Sequence, residues 1–566
     1  MKKNKMFGLL IVQMFIVSAF FLVSSLPNSF NLLLVSNTNQ YSAISKDNIA
    51  ITLWQDNGTF IDNNESSDVQ DIQVCCDGAG GAIFVWEDNR DDTGDIYAQK
   101  INANGNPVWG SGGIVVCNET NLQYYSTICC DGAGGVIIVW QDGRNTDDDI
   151  YAQRINANGN PVWANNGIVI CNASGDQYLN ELNTRICCYS SYFIITWEDQ
   201  RDGNDDIYAQ KLDLSGNTYW GNGTVGDKNG AIICNTDDDS NNPAICCDGV
   251  GGAIITWYED RSLGTDDDIY AQRIDSNGNT FWGDGTPNDK NGTSICNISG
   301  DQNNPVLCSV KNLGAIIVWE DDRPGLLGEG IFAQRIDMSG NIYWGNGTVG
   351  DKNGTMLRNY PGISSEIKIC CFGDRSVIVV WEDNREDNGI YAQRVDFNGI
   401  IFWGNGSIGD KNGTAICNAT NSQEYPSVCC YDSKYAIISW NDNRNNITDH
   451  DIYAQKIDLS GNLYWGNGTT GDKNGSIICN SINDNDYPVI CCDGSGGAII
   501  GWYDLRRTIL NYDLYAQRIK GIEEEHDYGL LLLLFQEPTN IGLTIGLIII
   551  LIAIGAGILF LYLRER

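Results

Sequence analysis

The chain has 566 residues and a formal net charge of −37 at pH 7, from 35 Lys and Arg against 72 Asp and Glu. Nucleic-acid backbones are bound by clustered Lys and Arg, so this balance argues against a nucleic-acid partner. The 64 Gly and 11 Pro are typical of a chain in which many short strands are joined by tight turns.

The N-terminus carries a membrane-directed signal. Three lysines precede an apolar run from Phe7 to Val23, which is the pattern of a secretory signal peptide. We therefore assign residues 1–25 to a signal peptide, with an uncleaved N-terminal anchor as the alternative, and residues 26–43 to a linker.

Fifteen of the sixteen tryptophans form two sets with regular spacing. In the first set each Trp stands four residues before an arginine, and successive members are 54 to 62 residues apart, which fits one four-stranded blade with long loops per repeat. The members of this set are Trp86, Trp140, Trp197, Trp257, Trp319, Trp381, Trp440 and Trp502. Seven more follow 22 to 25 residues later: Trp109, Trp163, Trp220, Trp282, Trp344, Trp403 and Trp465.

The sixteenth tryptophan, Trp54, stands at the opposite end of the chain from the repeat that lacks a second Trp. A chain that begins with the last strand of its last repeat closes into a ring with no open sheet edge. The sequence therefore predicts an all-β fold: an eight-bladed β-propeller of four-stranded blades over residues 44–520, closed by an N-terminal strand. A seven-bladed ring with one unpaired repeat is the alternative.

Each repeat is predicted to contain four strands, which in the fourth repeat fall at residues 242–247, 253–257, 268–275 and 280–282. Asp-Gly, Gly-Gly and Gly-Asn turns make the first and third connections short. The connections from the second to the third strand and from the fourth strand to the next repeat are long and variable. A meandering blade brings both to one side of the ring, here called the long-loop face, where we expect function to lie. The segment 345–354 is predicted to belong to it.

Aspartates cluster directly before the third strand in three repeats. Clustered carboxylates and carbonyls on a turn are the oxygen ligands that Ca²⁺ prefers, although no cluster has the full spacing of an EF-hand loop. Ca²⁺ is therefore the one cofactor candidate, and solvated turns without a cofactor are the alternative. The candidate ligands are Asp147, Asp148, Asp149, Asp205, Asp206, Asp266, Asp267 and Asp268.

An arginine recurs four residues after the first Trp of every repeat, usually two residues after an Asp. Eight arginines in a ring could bind an anion. A residue repeated in every blade more often ties a loop to a strand through a charge-assisted hydrogen bond, and we predict this structural role. The arginines are Arg90, Arg144, Arg201, Arg261, Arg323, Arg385, Arg444 and Arg506.

The 21 cysteines also follow the repeat. A first Cys ends the first strand in all eight repeats, a second follows it in seven, with Ser309 in its place once, and a third precedes an Asn in six. The second Cys is lost at Ser309 while the third is kept at Cys296, which argues against pairing between those two sets. Buried free thiols near the ring axis, partial disulfides and a thiolate metal ring remain as alternatives.

The pattern Trp-x-Asp-x-Arg, Asp-Ile-Tyr-Ala-Gln-Arg and Gly-Asn-x-x-Trp resembles β-propeller repeats of prokaryotic surface proteins, over roughly residues 49–519. The turn Asp213-Leu214-Ser215-Gly216-Asn217-Thr218-Tyr219-Trp220 also resembles the Asp-box of sialidase-like propellers, Ser-x-Asp-x-Gly-x-x-Trp, with two spacings longer by one residue. This resemblance implies a structural hairpin between the third and fourth strands and carries no catalytic residue.

The C-terminus is predicted to cross a membrane. Residues 541–563 contain no charge, and at about 1.5 Å per residue a helix of this length spans a hydrocarbon core of about 30 Å. We assign residues 521–540 to an acidic juxtamembrane linker and residues 564–566, which include Arg564 and Arg566, to a cytoplasmic tail. Because positive charge stays on the cytoplasmic side, the prediction is a single-pass protein with its propeller outside the cell.

No catalytic constellation stands out from the repeats. The chain has two histidines, His450 and His526, and no Gly-x-Ser-x-Gly, His-Glu-x-x-His or phosphate-loop motif. Fifteen Asn-x-Ser/Thr sequons allow glycosylation outside the cell. The sequence favours a membrane-anchored, non-enzymatic binding or adhesion scaffold for an extracellular protein or glycan. A membrane-anchored glycan hydrolase of sialidase-like architecture is the alternative.

Overall fold

The computed structural model describes residues 50–521 apart from residues 63–67, 91–93, 180–184, 222–225, 262–265, 284–289, 346–349, 351, 374, 386–387, 405–410, 432, 447–448, 467–473 and 508–510. Backbone contacts divide the chain into Met1–Ile44 and Ser45–Arg566, and every described residue belongs to the second unit. The described residues form 34 β-strands and no helix, which confirms the all-β prediction for this part of the chain.

The strands form eight antiparallel sheets, here called blades, which are numbered 1 to 8 along the chain from the sheet whose inner strand begins at Val69. The inner strands are β3 (Val69–Cys76), β7 (Gln123–Cys130), β11 and β12 (Gln177–Tyr178 and Ile186–Tyr189), β16 (Ser240–Cys247), β20 (Gln302–Ser309), β24 (Ser364–Cys371), β28 (Gln423–Tyr431) and β32 (Asn485–Cys492). The second strands are β4 (Ala82–Asp88), β8 (Val136–Asp142), β13 (Tyr192–Asp199), β17 (Ala253–Glu259), β21 (Ala315–Asp321), β25 (Ser376–Asp383), β29 (Tyr435–Asn446) and β33 (Gly497–Asp504). The third strands are β5 (Asp95–Ile101), β9 (Asp149–Ile155), β14 (Asp206–Asp213), β18 (Asp268–Ile274), β22 (Gly330–Ile336), β26 (Gly389–Asp396), β30 (Asp449–Asp458) and β34 (Asp513–Gly521). The outer strands are β6 (Ile114–Cys117), β10 (Ile168–Cys171), β15 (Ala231–Cys234), β19 (Thr293–Cys296), β23 (Thr355–Arg358), β27 (Thr414–Cys417), β31 (Ser476–Cys479) and, in blade 8, β1 (Ala50–Thr52) and β2 (Thr59–Phe60).

The hydrophobic core lies between neighbouring blades. Second strands such as β4 are buried along their whole length, because adjacent sheets cover them on both faces. Among the described residues, this packing forms eight clusters of buried apolar side chains. A typical cluster joins two neighbouring blades, as where Ile316 of blade 5 and Val379 of blade 6 belong to the same cluster. Trp86 and Trp140 of the first tryptophan set are fully buried. This packing fixes each blade against the next and holds the inner strands around one axis.

The ring closes as the sequence predicts. Each inner strand contacts the inner strand of the next blade, and β32 of blade 8 contacts β3 of blade 1. The N-terminal segment completes blade 8, where β1 pairs with β34 through Thr52 and Ile519 and β2 pairs with β34 through Thr59 and Ala516. The prediction of eight four-stranded blades closed by the N-terminus is confirmed, and the seven-bladed alternative is wrong.

The position of the outer strand differs from the prediction. In blade 4, Thr280 forms one isolated bridge with Ile274, and the paired outer strand is β19, which follows the second Trp. Gln272 Oε1 accepts the backbone N–H of Trp282 at 2.8 Å, so a side chain replaces the strand partner at the predicted place. In blade 5, residues 345–354 accordingly lie between β22 and β23 of the same blade. The prediction that they connect one blade to the next is wrong, and so is the prediction that they belong to the long-loop face, because the connection from the third to the outer strand leaves the blade on the opposite side.

The predicted terminal segments lie outside the described residues, except Gly521, which ends β34. The signal peptide, the linker, the juxtamembrane segment, the transmembrane helix and the tail therefore stay predictions. Within the described part of residues 50–521, no helix is long and apolar enough to cross a membrane.

Candidate functional site

A β-bulge interrupts the inner strand at the same place in seven blades. In β3, for example, the pairing with β4 shifts between Gln70 and Gln73. One residue of each bulge has a positive φ, which is a strained conformation for a residue with a side chain and is typical of functional sites. The corresponding part of blade 3 lies outside the described residues. These bulge residues are Asp71 (44°), Tyr125 (52°), Asn242 (54°), Asn304 (51°), Glu366 (55°), Tyr425 (52°) and Tyr487 (52°).

The bulge residues vary although the framework around them repeats. The second-strand Trp and the third-strand Ala-Gln pair occur in all eight blades, whereas the bulge carries Asp, Tyr, Asn or Glu. Asp71, Tyr125, Glu366, Tyr425 and Tyr487 line a central cavity of about 950 Å³. The bulges lie near the start of the inner strands, so the cavity lies toward the long-loop face. A scaffold that varies at the lining of its axial cavity marks that cavity as the candidate ligand site.

Tyrosines form one wall of this cavity. The rings of Tyr425 and Tyr487 have centroids 4.2 Å apart, and their hydroxyl oxygens are 3.3 Å apart. Tyr503 packs edge-on against Tyr487 at 5.6 Å, and its hydroxyl accepts the backbone N–H of Ile72 at 3.1 Å. Tyr487 is 45% exposed, so the part of its ring that Tyr425 and Tyr503 leave uncovered is available to a ligand.

Charged side chains line the same cavity. Lys368 Nζ lies 3.1 Å from Glu366 Oε2, and both side chains are partly exposed. Asp71 accepts hydrogen bonds from the backbone N–H of Ser126, in blade 2, and from Gln73 Nε2 at 3.1 Å. The cavity therefore offers charged hydrogen-bond donors and acceptors beside aromatic faces.

Arg185 of blade 3 is buried in the cavity wall, with 1% of its surface exposed. Its guanidinium donates to two backbone carbonyl oxygens, that of Leu179 at 2.7 Å and that of Pro243. It also donates to Asn242 Oδ1 at 3.2 Å and lies 3.8 Å from Glu198 Oε1. Burial lowers the pKa of Arg185 to about 10. Because these donors are used inside the wall, Arg185 fixes blade 3 against blade 4.

Two glutamates near the bulge residues hold a proton close to neutral pH. Burial raises the pKa of Glu320 and of Glu382 to about 7. Glu320 also accepts a hydrogen bond from Asn304 Nδ2 at 2.7 Å, and the negative charge of Glu366 acts on both carboxyls. A carboxyl with a pKa near 7 can serve as a general acid, so these two are the candidate proton donors.

His450, Asp484 and Asp486 bring their ligand atoms within 4.8 Å of one another, the one such group of three found among the described residues. His450 Nδ1 lies 3.4 Å from Asp484 Oδ1 and 3.2 Å from Asp486 Oδ1, and the hydrogen bond with Asp486 raises the pKa of His450 to about 9. Once the imidazolium proton has left, the imidazole and the two carboxylates suit a divalent transition metal. Sequence reasoning missed this group. The available signal was that His450 stands where blades 2 and 4 have Asp148 and Asp267.

The aspartates predicted to bind Ca²⁺ in blade 2 have different partners. Asp147 Oδ2 accepts the backbone N–H of Gly175 at 3.2 Å, and Asp148 Oδ2 accepts the hydroxyl of Tyr124 at 2.7 Å. Burial raises the pKa of Asp149 to about 6. Asp147 thus contacts the connection to blade 3 and Asp148 contacts the inner strand of blade 2, while Asp149 Oδ2 accepts a hydrogen bond of 2.5 Å from Asn145 Nδ2 in the preceding loop.

The predicted Ca²⁺ ligands of blades 3 and 4 are arranged in a similar way. Asp206 Oδ2 accepts Asn235 Nδ2 at 3.0 Å, and Asp266 Oδ2 accepts the backbone N–H of Gly300 at 2.9 Å. Among the described residues, the one group of three whose ligand atoms converge is that of His450, and it includes none of the predicted Ca²⁺ ligands. Ca²⁺ binding stays a prediction. Burial raises the pKa values of the remaining members, Asp205, Asp267 and Asp268.

The eight recurring arginines have a structural role, as predicted. Arg144 pairs with Asp142 at 2.6 Å, and Asp142 also accepts the indole N–H of Trp140 at 2.7 Å. The guanidinium lies 3.8 Å from the ring centroid of Tyr151 and donates to the carbonyl of Asn166 at 2.9 Å. The same ion pair recurs in the other seven blades. Each arginine therefore ties the loop after the second strand to the outer edge of its blade.

No protein-family model matches this chain, and no curated protein matches it. Solved structures are similar to this chain at low identity and low TM-score. A Dyadobacter fermentans protein of unknown function is 10% identical, with a TM-score of 0.32 over 61% of this chain and 97% of that one. The NanB sialidase of Streptococcus pneumoniae is 11% identical, with a TM-score of 0.30 over 84% and 71%. An α-L-arabinanase of Penicillium chrysogenum is 11% identical, with a TM-score of 0.30 over 70% and 93%. At these values the likeness concerns the fold alone.

Proposed function

We propose that this protein is a non-enzymatic binding protein whose axial cavity takes a glycan at the long-loop face. One observation carries the proposal: the blades repeat their framework and differ at the bulge residues that line the cavity. A ring with a purely structural role has no need of such differences, and the positive φ of a residue such as Tyr487 costs stability that a binding role explains. We place the propeller outside the cell, anchored by a membrane helix at residues 541–563.

The chemistry of the cavity favours a polyhydroxylated ligand. A sugar ring presents an apolar face of C–H groups that packs on an exposed aromatic face such as that of Tyr487. Its hydroxyl groups can donate to Asp71 and Glu366 and accept from Lys368. Because the chain carries a net charge of −37, long-range repulsion disfavours an acidic ligand. A neutral or cationic glycan therefore fits best.

A glycan hydrolase is the second candidate, because the half-buried Glu382 interacts electrostatically with other carboxylates. Hydrolysis of a glycosidic bond uses one protonated carboxyl and one carboxylate. Glu382, with its pKa raised to about 7 by burial, is the acid. The charges of Glu424 and Glu366 both act on it, and Glu366 is the partner because it lines the cavity. Glu320 is only 8% exposed, so a substrate reaches it less readily.

A glycan array incubated with the full-length protein separates the two candidates. Retention without cleavage supports the binding protein, and cleavage of any glycan overturns it in favour of the hydrolase. An array that shows neither result overturns both. Parallel incubations with and without Ca²⁺ test the aspartate clusters, because loss of retention on chelation would give those residues a ligand role.

Protease treatment of intact cells tests the proposed orientation. With the propeller outside, added protease should digest it and spare a tag placed after Arg566. A propeller that resists protease on intact cells and is digested after lysis would contradict this orientation.

A further inference from the structure

We infer that the inner strands are joined into a nearly complete belt by seven disulfides, each linking the first cysteine of one blade to the second cysteine of the next. Two of these bonds are present: Cys308–Cys371 joins blades 5 and 6, and Cys370–Cys430 joins blades 6 and 7. The other five pairs are Cys75–Cys130, Cys129–Cys188, Cys187–Cys247, Cys429–Cys492 and Cys491–Cys76.

The geometry of a strand explains the pairing. Successive side chains of a strand point to opposite faces, and each inner strand has a neighbouring blade on both sides. Of two adjacent cysteines, one therefore points its sulfur towards the preceding blade and the other towards the next blade. In β24, Cys370 is bonded to Cys430 of blade 7 and Cys371 to Cys308 of blade 5. Because the Cys-Cys pair recurs at the end of the inner strand, the same linkage can repeat around the ring.

The second cysteine has the same placement whether or not it is bonded. Cys371 Sγ lies 3.1 Å from the carbonyl oxygen of Ser309, at the matching position of the preceding blade. Three unbonded second cysteines repeat this contact with the preceding blade: Cys130 with Cys76 (2.8 Å), Cys247 with Cys188 (3.0 Å) and Cys492 with Cys430 (3.1 Å). Their sulfurs are thus positioned for the bond that Cys371 makes.

The first cysteines face these sulfurs from the preceding blade. In four pairs the first cysteine interacts with the second cysteine of the next blade: Cys75 with Cys130, Cys129 with Cys188, Cys187 with Cys247, and Cys429 with Cys492. Cys491 interacts electrostatically with Cys76, which closes the belt between blades 8 and 1.

Cys130 has two neighbours, since its sulfur also lies 3.9 Å from Cys76 Sγ. A bond between Cys130 and Cys76 would leave Cys75 and Cys491 without partners. The pairing rule of the two existing bonds instead uses all four cysteines, so we assign Cys130 to Cys75 and Cys76 to Cys491.

Ser309 leaves a single gap in the belt, between blades 4 and 5, because it replaces the partner of Cys246. The belt uses fourteen of the 21 cysteines, so Cys246 and six others remain as thiols. Those six are the ones that precede Asn. Cys117 is typical: burial raises its pKa to about 12, and Arg144 Nη2 lies 3.1 Å from its sulfur. The six are Cys117, Cys171, Cys234, Cys296, Cys417 and Cys479.

Each bond forms by thiol–disulfide exchange with an oxidising protein disulfide. One cysteine thiolate attacks a sulfur of that donor and forms a mixed disulfide, and the second cysteine displaces the donor sulfur. The pair loses two protons and two electrons, and the donor leaves as two thiols. Such oxidants act outside the reducing cytosol, where we place the propeller. The belt does not depend on what the axial cavity binds.

Thiol mapping of the full-length protein tests the belt. The unreduced protein is denatured, alkylated, digested and analysed by mass spectrometry. We expect alkylation at seven cysteines, namely Cys246 and the six that precede Asn, and crosslinked peptides for the seven pairs. Protection of only the four cysteines bonded in the structure would overturn the belt, as would crosslinks between other cysteines.

A single substitution tests the pairing rule by extending it. Ser309→Cys should form an eighth bond with Cys246, so the number of alkylated cysteines should fall from seven to six although a cysteine was added. Ser215→Cys, at an exposed turn position, is the matched control and should raise the number to eight. A rise to eight in Ser309→Cys as well would contradict the rule.

Discussion

The backbone N–H of Trp54 donates a hydrogen bond of 2.9 Å to Oε1 of Gln517, 463 residues further along the chain. Trp109 makes the same bond to Gln99 inside blade 1, also at 2.9 Å. The indole N–H of Trp54 donates to the carbonyl of Ala103 in blade 1 at 3.1 Å. The N-terminus thus reproduces in blade 8 the contacts that other blades make within their own chain, and it joins the last blade to the first.

Deletion of residues 44–56 should therefore destabilise the whole ring. The truncation removes β1 and the buried indole of Trp54, and it leaves the end of β34 that pairs with β1 without a partner. Burial of one large apolar side chain contributes about 1.5–3 kcal/mol, so we expect a loss of several kcal/mol in the free energy of unfolding. Denaturant titration measures it. The control is Leu53→Ala, since that side chain is 45% exposed. A truncated protein that unfolds like the intact one would show that closure does not depend on this segment.

Gly167 should tolerate alanine less well than a glycine with the same backbone and open space. A Cβ at Gly167 would lie 2.4 Å from Cη2 of Trp140, and φ is +86°. At Gly132 φ is +73° and no atom lies within 4 Å of an added Cβ. Both substitutions strain the backbone, but Gly167→Ala also overpacks the indole, so it should cost about 1–3 kcal/mol more than Gly132→Ala. Urea midpoints measure the difference, and equal losses would contradict the tryptophan packing described above.

The burial of Glu320 should make the propeller less stable as pH rises. Its pKa is about 7 in the fold, against 4.5 for an ordinary Glu. Because the folded state holds this proton more tightly, the free energy of unfolding falls as pH rises from about 4.5 to about 7. Glu320→Gln keeps a hydrogen-bonding group beside Asn304 and removes the charge. It should match the wild type at pH 4 and exceed it by roughly 2–3 kcal/mol at pH 8.

Urea unfolding at the two pH values checks this prediction. Asp237→Asn, at an exposed position, is the control for the loss of one negative charge from the surface. If Glu320→Gln and the wild type were equally stable at pH 8, the carboxylate of Glu320 would have to be well solvated, contrary to its burial.

The fold could be predicted from the sequence because one feature of each blade is invariant within the chain. Residues such as Trp86 fill the space between sheets once per blade. Trp54 precedes the first repeat although the last repeat lacks its second Trp, which indicates that the N-terminus closes the ring. The outer strand could not be placed, because the side chain of Gln272 replaces a backbone partner of Trp282. Spacing along the sequence does not reveal such a contact.

The candidate site was largely missed for a similar reason. Tyr425 and Tyr487 stand where blades 1, 4, 5 and 6 have Asp, Asn or Glu, but only the strand register shows that these positions line the axis. A comparison of each second cysteine with the third cysteine that precedes it does not reveal the pairing, because the bonds join first and second cysteines of neighbouring blades. That pairing follows from the alternation of side chains along β24, which places Cys370 and Cys371 against opposite neighbours.

Calorimetric titration of Tyr487→Ala with the glycan that the array retains best tests the proposed function most directly. Removal of an exposed aromatic ring from the cavity should raise Kd at least about tenfold, which corresponds to about 1.4 kcal/mol. Tyr189→Ala is the matched control, because Tyr189 is also exposed, at 38%, and lies on the short hairpin between β12 and β13 at the other end of the ring. We predict weakened binding for Tyr487→Ala alone. Wild-type affinity in Tyr487→Ala, or an equal loss in Tyr189→Ala, would contradict binding in the axial cavity.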